Sequence, residues 1–389
     1  MIAVVSFLRR ISTRTLIVLV VAVCAAAVGG AAIAVAAGGS GPAPAPKPLD
    51  QAIQDALTAK PPDGITANVT FTNNLFPSGA LAGQAGSALM TGASGRLWVT
   101  SDGHGRIELQ SDAGDVQIVW DPTTISVYDA SSNTVYRATL PADTQTSSTD
   151  SGTPPTLAEI DTFLTDLGVH WAISDAQPTN VGGQPAYQVS ASPKHDGGLL
   201  GSVELAWDAA TGVPLSVAIN AQGSSTPALE LAVNDISYGP VAYSDADISP
   251  PASAKVVDLG TISGPSQSGG TPPVTGLDAV QAAADFPVVA PPTLVGLPLR
   301  DVRLVGGDTA IATYGEGLGG IVLVERKADA AGDQGPMSGL PTVALDGLTA
   351  HELATQLGTI LAWQSGGTSF VLAGSQPAAA AEAAARAVK

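Results

Sequence analysis

At 389 residues the chain is long enough for two or three domains and a sizeable core. Its net charge of −18 argues against nucleic acid, which rewards clustered Lys and Arg, and offers no attraction to an anionic membrane surface. The single cysteine, Cys24, excludes an internal disulfide and cysteine-based metal sites.

Arg9, Arg10 and Arg14 precede an uncharged, mostly apolar run from Leu16 to Ala37. As a helix this run would span about 33 Å, enough for a bilayer. The basic flank would stay in the cytoplasm and place the rest of the chain outside. Residues 1–37 are thus an N-terminal transmembrane anchor or signal peptide. The length favours an uncleaved anchor, whereas Ala34-Val35-Ala36 would suit a cleavage site. Cys24 reads as a membrane-buried residue, because Val23 is bulkier than lipid attachment expects. Residues 38–48, GGSGPAPAPKP from Gly38, read as a Pro/Ala-rich, extended linker holding a domain off the membrane.

Leu49–Ala59 carries apolar residues at Leu49, Ile53, Ala56 and Leu57, a short amphipathic helix ended by Lys60-Pro61-Pro62. From Gly64 the period becomes two. Ala67, Val69 and Phe71 alternate with Thr66, Asn68 and Thr70, and the pattern recurs at Leu97/Val99, Ile107/Leu109, Val116/Ile118/Trp120, Ile125/Val127 and Val135. Turn clusters such as Ser101–Gly105 and Ser111–Asp115 separate these runs, which indicates an antiparallel meander. Asp143–Pro155 is a polar loop. Thr156–Leu167 predicts a helix, with Thr156 and Glu159 as a capping box and Leu157, Ile160, Phe163, Leu164 and Leu167 as its stripe. Strands resume at Tyr187/Val189, Val203–Trp207, Leu215–Ile219 and Leu229–Ile236. Between the second and third of these, Asp208–Gly212 forms a hairpin turn whose glycine accepts positive φ.

The run Val119-Trp120-Asp121-Pro122 through Asp129, followed by Asn133-Thr134-Val135-Tyr136-Arg137, resembles a hairpin of LolA-type lipoprotein carriers. The strand Gly183–Val189 and the hairpin Trp207-Asp208…Thr211-Gly212-Val213-Pro214-Leu215 are similar to later strands of that superfamily. It also includes RseB-like sigma-factor regulators and lipid-binding lipoproteins of mycobacteria. The resemblance covers about half the chain. It implies a mainly β fold with α: an incomplete antiparallel β-barrel with covering helices over residues 49–250, whose apolar inner face holds an acyl chain. Candidate lining residues are Val69, Phe71, Leu97, Val99, Ile118, Trp120, Val127, Leu205 and Trp207. Ordinary core packing is the competing reading at each. The Ala- and Gly-rich, Lys-poor composition suggests an actinobacterial origin.

Residues 251–275 include SGPSQSGGTPP from Ser263 and read as a flexible linker. Residues 276–389 read as a smaller C-terminal α+β domain. Its strands are expected at Val302–Val305, Thr309–Tyr314, Gly320–Glu325, Ile360–Trp363 and Ser369–Ala373. A helix or turn is expected over Ala350–Leu357, and a helix over Gln376–Lys389 with Glu382 and Arg386 spaced i,i+4. This order is similar to the second domain of RseB-like proteins, which contacts a membrane partner such as an anti-sigma factor.

No catalytic constellation emerges. His104, His170, His195 and His351 are scattered, and no metal motif, nucleophile elbow or phosphate-binding loop is recognisable. Asp115, Asp121 and Asp129 sit where Asp forms Asx turns. The expectation is a non-enzymatic protein without a cofactor, binding a lipid or lipoprotein acyl chain outside the membrane, or secreted if its leader is cut. The alternative is a regulatory module binding a membrane protein.

Overall fold

The computed structural model describes residues 41–75, 88–140, 155–247, 249–261, 274–328 and 340–388. The apolar run at 16–37, Cys24, the loop 143–154 and the linker core 263–273 lie outside them.

Helix α1 (Leu49–Thr58) opens the described chain. The alternating segments then form β1 (Gly64–Asn73), a single helical turn α2 (Ala88–Thr91), β2 (Ala93–Thr100), β3 (Gly105–Gln110), β4 (Val116–Trp120), β5 (Thr124–Asp129) and β6 (Thr134–Thr139). Helix α3 (Leu157–Leu167) begins at the expected capping box, with Thr156 Oγ1 accepting from the Glu159 N–H and the Glu159 carboxylate accepting from the Thr156 N–H. The strands continue as β7 (Trp171–Ile173), β8 (Gln177–Val181), β9 (Gln184–Pro193), β10 (Leu200–Asp208), β11 (Pro214–Ala221) and β12 (Pro227–Tyr238). A short turn of helix α4 (Tyr243–Ala246) precedes β13 (Lys255–Thr261).

These strands make one 13-stranded sheet running β13-β6-β5-β4-β3-β2-β1-β12-β11-β10-β9-β7, with β8 also on β9. It is antiparallel except where β13 adds parallel to β6, and β13 and β7 end it without closing. This is the incomplete antiparallel barrel with covering helices that the resemblance implies. The Asx turns expected at Asp121 and Asp129 form: Asp121 Oδ1 accepts from the Thr123 and Thr124 N–H groups, and Asp129 Oδ1 from that of Ser131.

The remaining chain builds β14 (Val274–Thr275), α5 (Leu277–Ala283), β15 (Thr293–Leu294), β16 (Leu297–Val305), β17 (Thr309–Tyr314), β18 (Ile321–Lys327), β19 (Thr342–Leu345), β20 (Leu348–Thr355), β21 (Gly358–Ser365), β22 (Thr368–Gly374) and α6 (Ala378–Arg386). Its sheet runs β14-β16-β17-β18-β22-β21-β20-β19, with β15 on β16. One face packs Val302, Leu304, Tyr314, Leu323, Leu361, Trp363, Phe370 and Leu372 against α5 and α6. Ala381, Ala384 and Ala385 of α6 are buried there, because a methyl-only face lets the helix backbone approach the sheet closely.

Three expectations are corrected. The Pro-rich linker is not a free spacer over its described part: Asn180 Nδ2 donates to the Pro42 carbonyl (3.0 Å) and Tyr187 OH to that of Ala45 (2.7 Å). Lys47 lies over the Tyr187 ring and pairs with Asp55, so residues 42–47 are strapped along β8 and β9. Within 251–275, residues 255–261 form a strand, because Val256 and Val257 supply β-propensity and the open edge of β6 offers unpaired backbone groups. Ala350–Leu357, expected as a helix or turn, is mostly strand β20 and its turn. His351 and Glu352 therefore stand on a strand, as pairing with β19 and β21 overrides local helix propensity.

Candidate functional site: the apolar face of the larger sheet

Cross-strand partners share a face, so register decides which side chains meet. Leu97, Ile107, Ile118 and Val127 line up across β2, β3, β4 and β5, with Ala67 of β1 beside Leu97. Val99, Trp120 and Ile125 form the next row, with Gly105 between Val99 and Trp120. Beyond β1 the same face continues: Phe71, Leu231, Val217, Leu205 and Val189 pair in sequence across β1, β12, β11, β10 and β9. All nine sequence-nominated residues therefore belong to one apolar face.

They do not share one environment. Val69, Phe71, Leu97, Ile118 and Trp120 are closed off in a core with Leu75 and Ala88–Leu89 of α2, and Val99 and Val127 pack at its margin, half-buried. Leu205 and Trp207 form a second cluster, with Ala52, Leu49 and Ala56 of α1 together with Tyr187, Val189 and Ala176. Trp207 is buried there and Leu205 is half-buried. Val69, Phe71, Leu97, Ile118, Trp120 and Trp207 are all buried. The half-buried side chains of the face are Val99, Val127 and Leu205 from the nominated set, together with Ile125, Val203, Val217, Ile219 and Leu231, which were not nominated. The signal for Val203, Val217 and Ile219 was present in their period-two spacing, but pairing partners were needed to bring them beside Leu205.

Two glycines shape this face. A Cβ on Gly105 would lie 2.0 Å from the Trp120 ring, so only glycine lets the indole lie flat over the neighbouring strand. Gly212 has φ +70, and a Cβ there would approach the Ala56 carbonyl to 2.4 Å, so the β10–β11 turn receives α1 at close range. Asp208 fixes that turn: its Oδ1 accepts from the Ala210 and Thr211 N–H groups, and its Oδ2 from Tyr238 OH (2.8 Å). Burial, first, and the neighbouring Asp208 charge raise the Tyr238 hydroxyl well above its ordinary range, keeping it a donor.

The opposite face is polar. Arg106 stacks over Trp98, pairs with Glu108 and donates to the Asp245 carbonyl of α4. Further along, Glu204 accepts from Gln188 and Asn220, and Ser216 donates to Glu230. Burial, and secondarily the Glu204 charge, raises the Glu230 carboxyl. Among the described residues no group of three or more His, Cys, Asp or Glu is placed to hold a metal.

No family model and no curated protein matches the chain. Among solved structures it is similar to the Pseudomonas aeruginosa MucA/MucB complex, at 16% identity, covering 87% of this chain and 96% of that one with a TM-score of 0.42. It is also similar to MucB alone, at 17% identity, 87% and 96% coverage and a TM-score of 0.36. A LolA superfamily protein from Nitrosomonas europaea aligns at 9% identity over 52% of this chain and 98% of that one, with a TM-score of 0.23. Among the described residues no helix is long and apolar enough to cross a membrane.

Proposed function

We propose that this chain is a non-enzymatic, extracytoplasmic binding protein that takes a lipid or lipoprotein acyl chain on the apolar face of its larger sheet. The observation that carries the reading is a half-buried apolar surface in two parts, Val127, Ile125 and Val99 on one side of β1 and Leu231, Ile219, Val217, Leu205 and Val203 on the other. It lies on one face beside short covering helices, while the other face is polar. A flexible hydrocarbon is the ligand such a surface suits, since it gains about 0.8 kcal/mol per buried methylene without requiring a polar partner. The apolar run at 16–37, read as an anchor, would keep the protein at the outer membrane surface.

Titration with a dansyl-labelled undecanoic acid tests this. Saturable binding is expected, weakened about tenfold by the isosteric pair Val127→Thr and Val217→Thr, which places hydroxyls against the hydrocarbon. Absence of saturable binding, or binding indifferent to both substitutions in a folded variant, would refute the reading.

A second reading, binding of a membrane protein partner such as an anti-sigma factor, is favoured by the outer face of the smaller sheet. There Ile311, Val324, Val371 and Ala362 align across four strands, beside Val322, Ala373, Ile360 and Leu353. None belongs to a core cluster, and Arg326 stands exposed at the rim. Photo-crosslinking from position 324 in cells checks this: a discrete membrane-protein adduct supports it, and none counts against it.

A further inference from the structure

Among the described residues, hydrogen bonds between the two sheets converge on one end of the apolar face. At the tip between β20 and β21, the Gln356 N–H donates to the Leu75 carbonyl (2.9 Å) and Gln356 Nε2 donates to that of Asn74 (2.5 Å). Leu357, the next residue, packs half-buried against the core cluster that contains Leu75, Phe71 and Leu229. The tip is itself rigid: Thr355 Oγ1 accepts from the Leu357 and Gly358 N–H groups. Ser375 bridges behind it, donating to the Leu357 carbonyl (2.7 Å) and accepting from the Leu199 N–H at the start of β10 (2.9 Å). The Gly319 N–H donates to the Asp196 carbonyl (2.5 Å).

We propose that this tip is a latch on the apolar face, so that occupancy of the face by an acyl chain and docking of the smaller domain oppose one another. The inference rests on the acyl-binding reading above. Leu357 occupies apolar space at the end of the face where β1 finishes and β12 begins, and hydrocarbon entering there competes with it. Gln356 holds the backbone of Asn74 and Leu75, and Leu75 is one of the side chains closing the face. The other described bonds across the junction, Leu199 to Ser375 and Gly319 to Asp196, are each worth about 1 kcal/mol net, so a modest competitor opposes them. Coupling of this kind is reciprocal: docking weakens ligand binding by the same factor by which bound ligand weakens docking.

The test combines dansyl-undecanoic acid titration with amide hydrogen exchange on the full chain, for wild type, Leu357→Ala and Gln356→Ala. The latch predicts that probe speeds exchange at Gln356 and Leu199, and that each variant tightens probe about fivefold or more. Binding by the variants but not by wild type would also support it. If wild type binds and the variants bind equally or more weakly, with exchange at Gln356 unchanged or slowed, the latch is wrong while the binding function stands. If neither wild type nor variants bind, both fall together.

Discussion

The two sheets use the same period-two alternation and end differently. In the smaller one, Tyr314, Ile321, Leu323, Leu361 and Leu372 are fully buried beneath α5, α6 and the segment around Phe286–Ala290. In the larger one the buried core runs from β1 to β4 and reaches Leu215 of β11 and Leu229, Val233 and Ile236 of β12, but half-buried side chains such as Val127 of β5, Val217 of β11 and Leu231 of β12 interrupt it on the same face. What differs is the cover. Helix α6 offers alanines that seat its backbone on the sheet, whereas α1 packs on Tyr187 and Val189 of β9 and Leu205 and Trp207 of β10 in a 13-stranded surface. An apolar face that is closed is a core, and one that is only partly covered offers a binding surface.

The largest effect expected is in the closed core. Leu372→Ala should cost about 2–5 kcal/mol, whereas Val217→Ala on the half-buried surface should cost about 1 kcal/mol or less. Chemical denaturation of each variant checks the contrast, and equal costs would erase it. The next is pH-dependent and confined to the smaller sheet. Glu325 is buried; burial lifts its carboxyl to about 7, partly offset by the Val289 N–H donated to Oε2 (2.7 Å). Its folded pKa lies above the ordinary 4.5, so its stabilising contribution is complete below about 4.5 and is lost as pH rises through about 7. The loss is on the order of 3 kcal/mol, and Glu325→Gln should flatten the stability profile across that window. In the larger sheet, Gly105→Ala should destabilise by about 1–3 kcal/mol, because its methyl meets the Trp120 ring. Smallest, Thr156→Ala should cost about 1 kcal/mol through loss of the α3 capping box. Melting curves measure both.

Strand alternation, the capping box at Thr156–Glu159, the Asp208–Gly212 turn and the terminal Ala-rich helix were legible because each is a local pattern with its own energetic reason. β20 was not: His351-Glu352-Leu353-Ala354 carries good helix formers, and only pairing with β19 and β21 makes them a strand. β13 was masked by its Ser/Gly/Pro-rich surroundings. The candidate site was legible as a face but not as an opening. Trp120 and Val127 follow the same alternation, yet one lies sealed against Gly105 and the other at the margin, a distinction set by covering elements far away in sequence. The latch residues Gln356 and Leu357 look like any hairpin tip until Asn74 and Leu75 are beside them.

Native mass spectrometry of the full chain purified from a bacterial host, followed by organic extraction, tests the central claim most directly. The account predicts a stoichiometric acylated molecule that leaves on extraction. A clean apo mass, with no uptake of added phospholipid or lipopeptide, would contradict it.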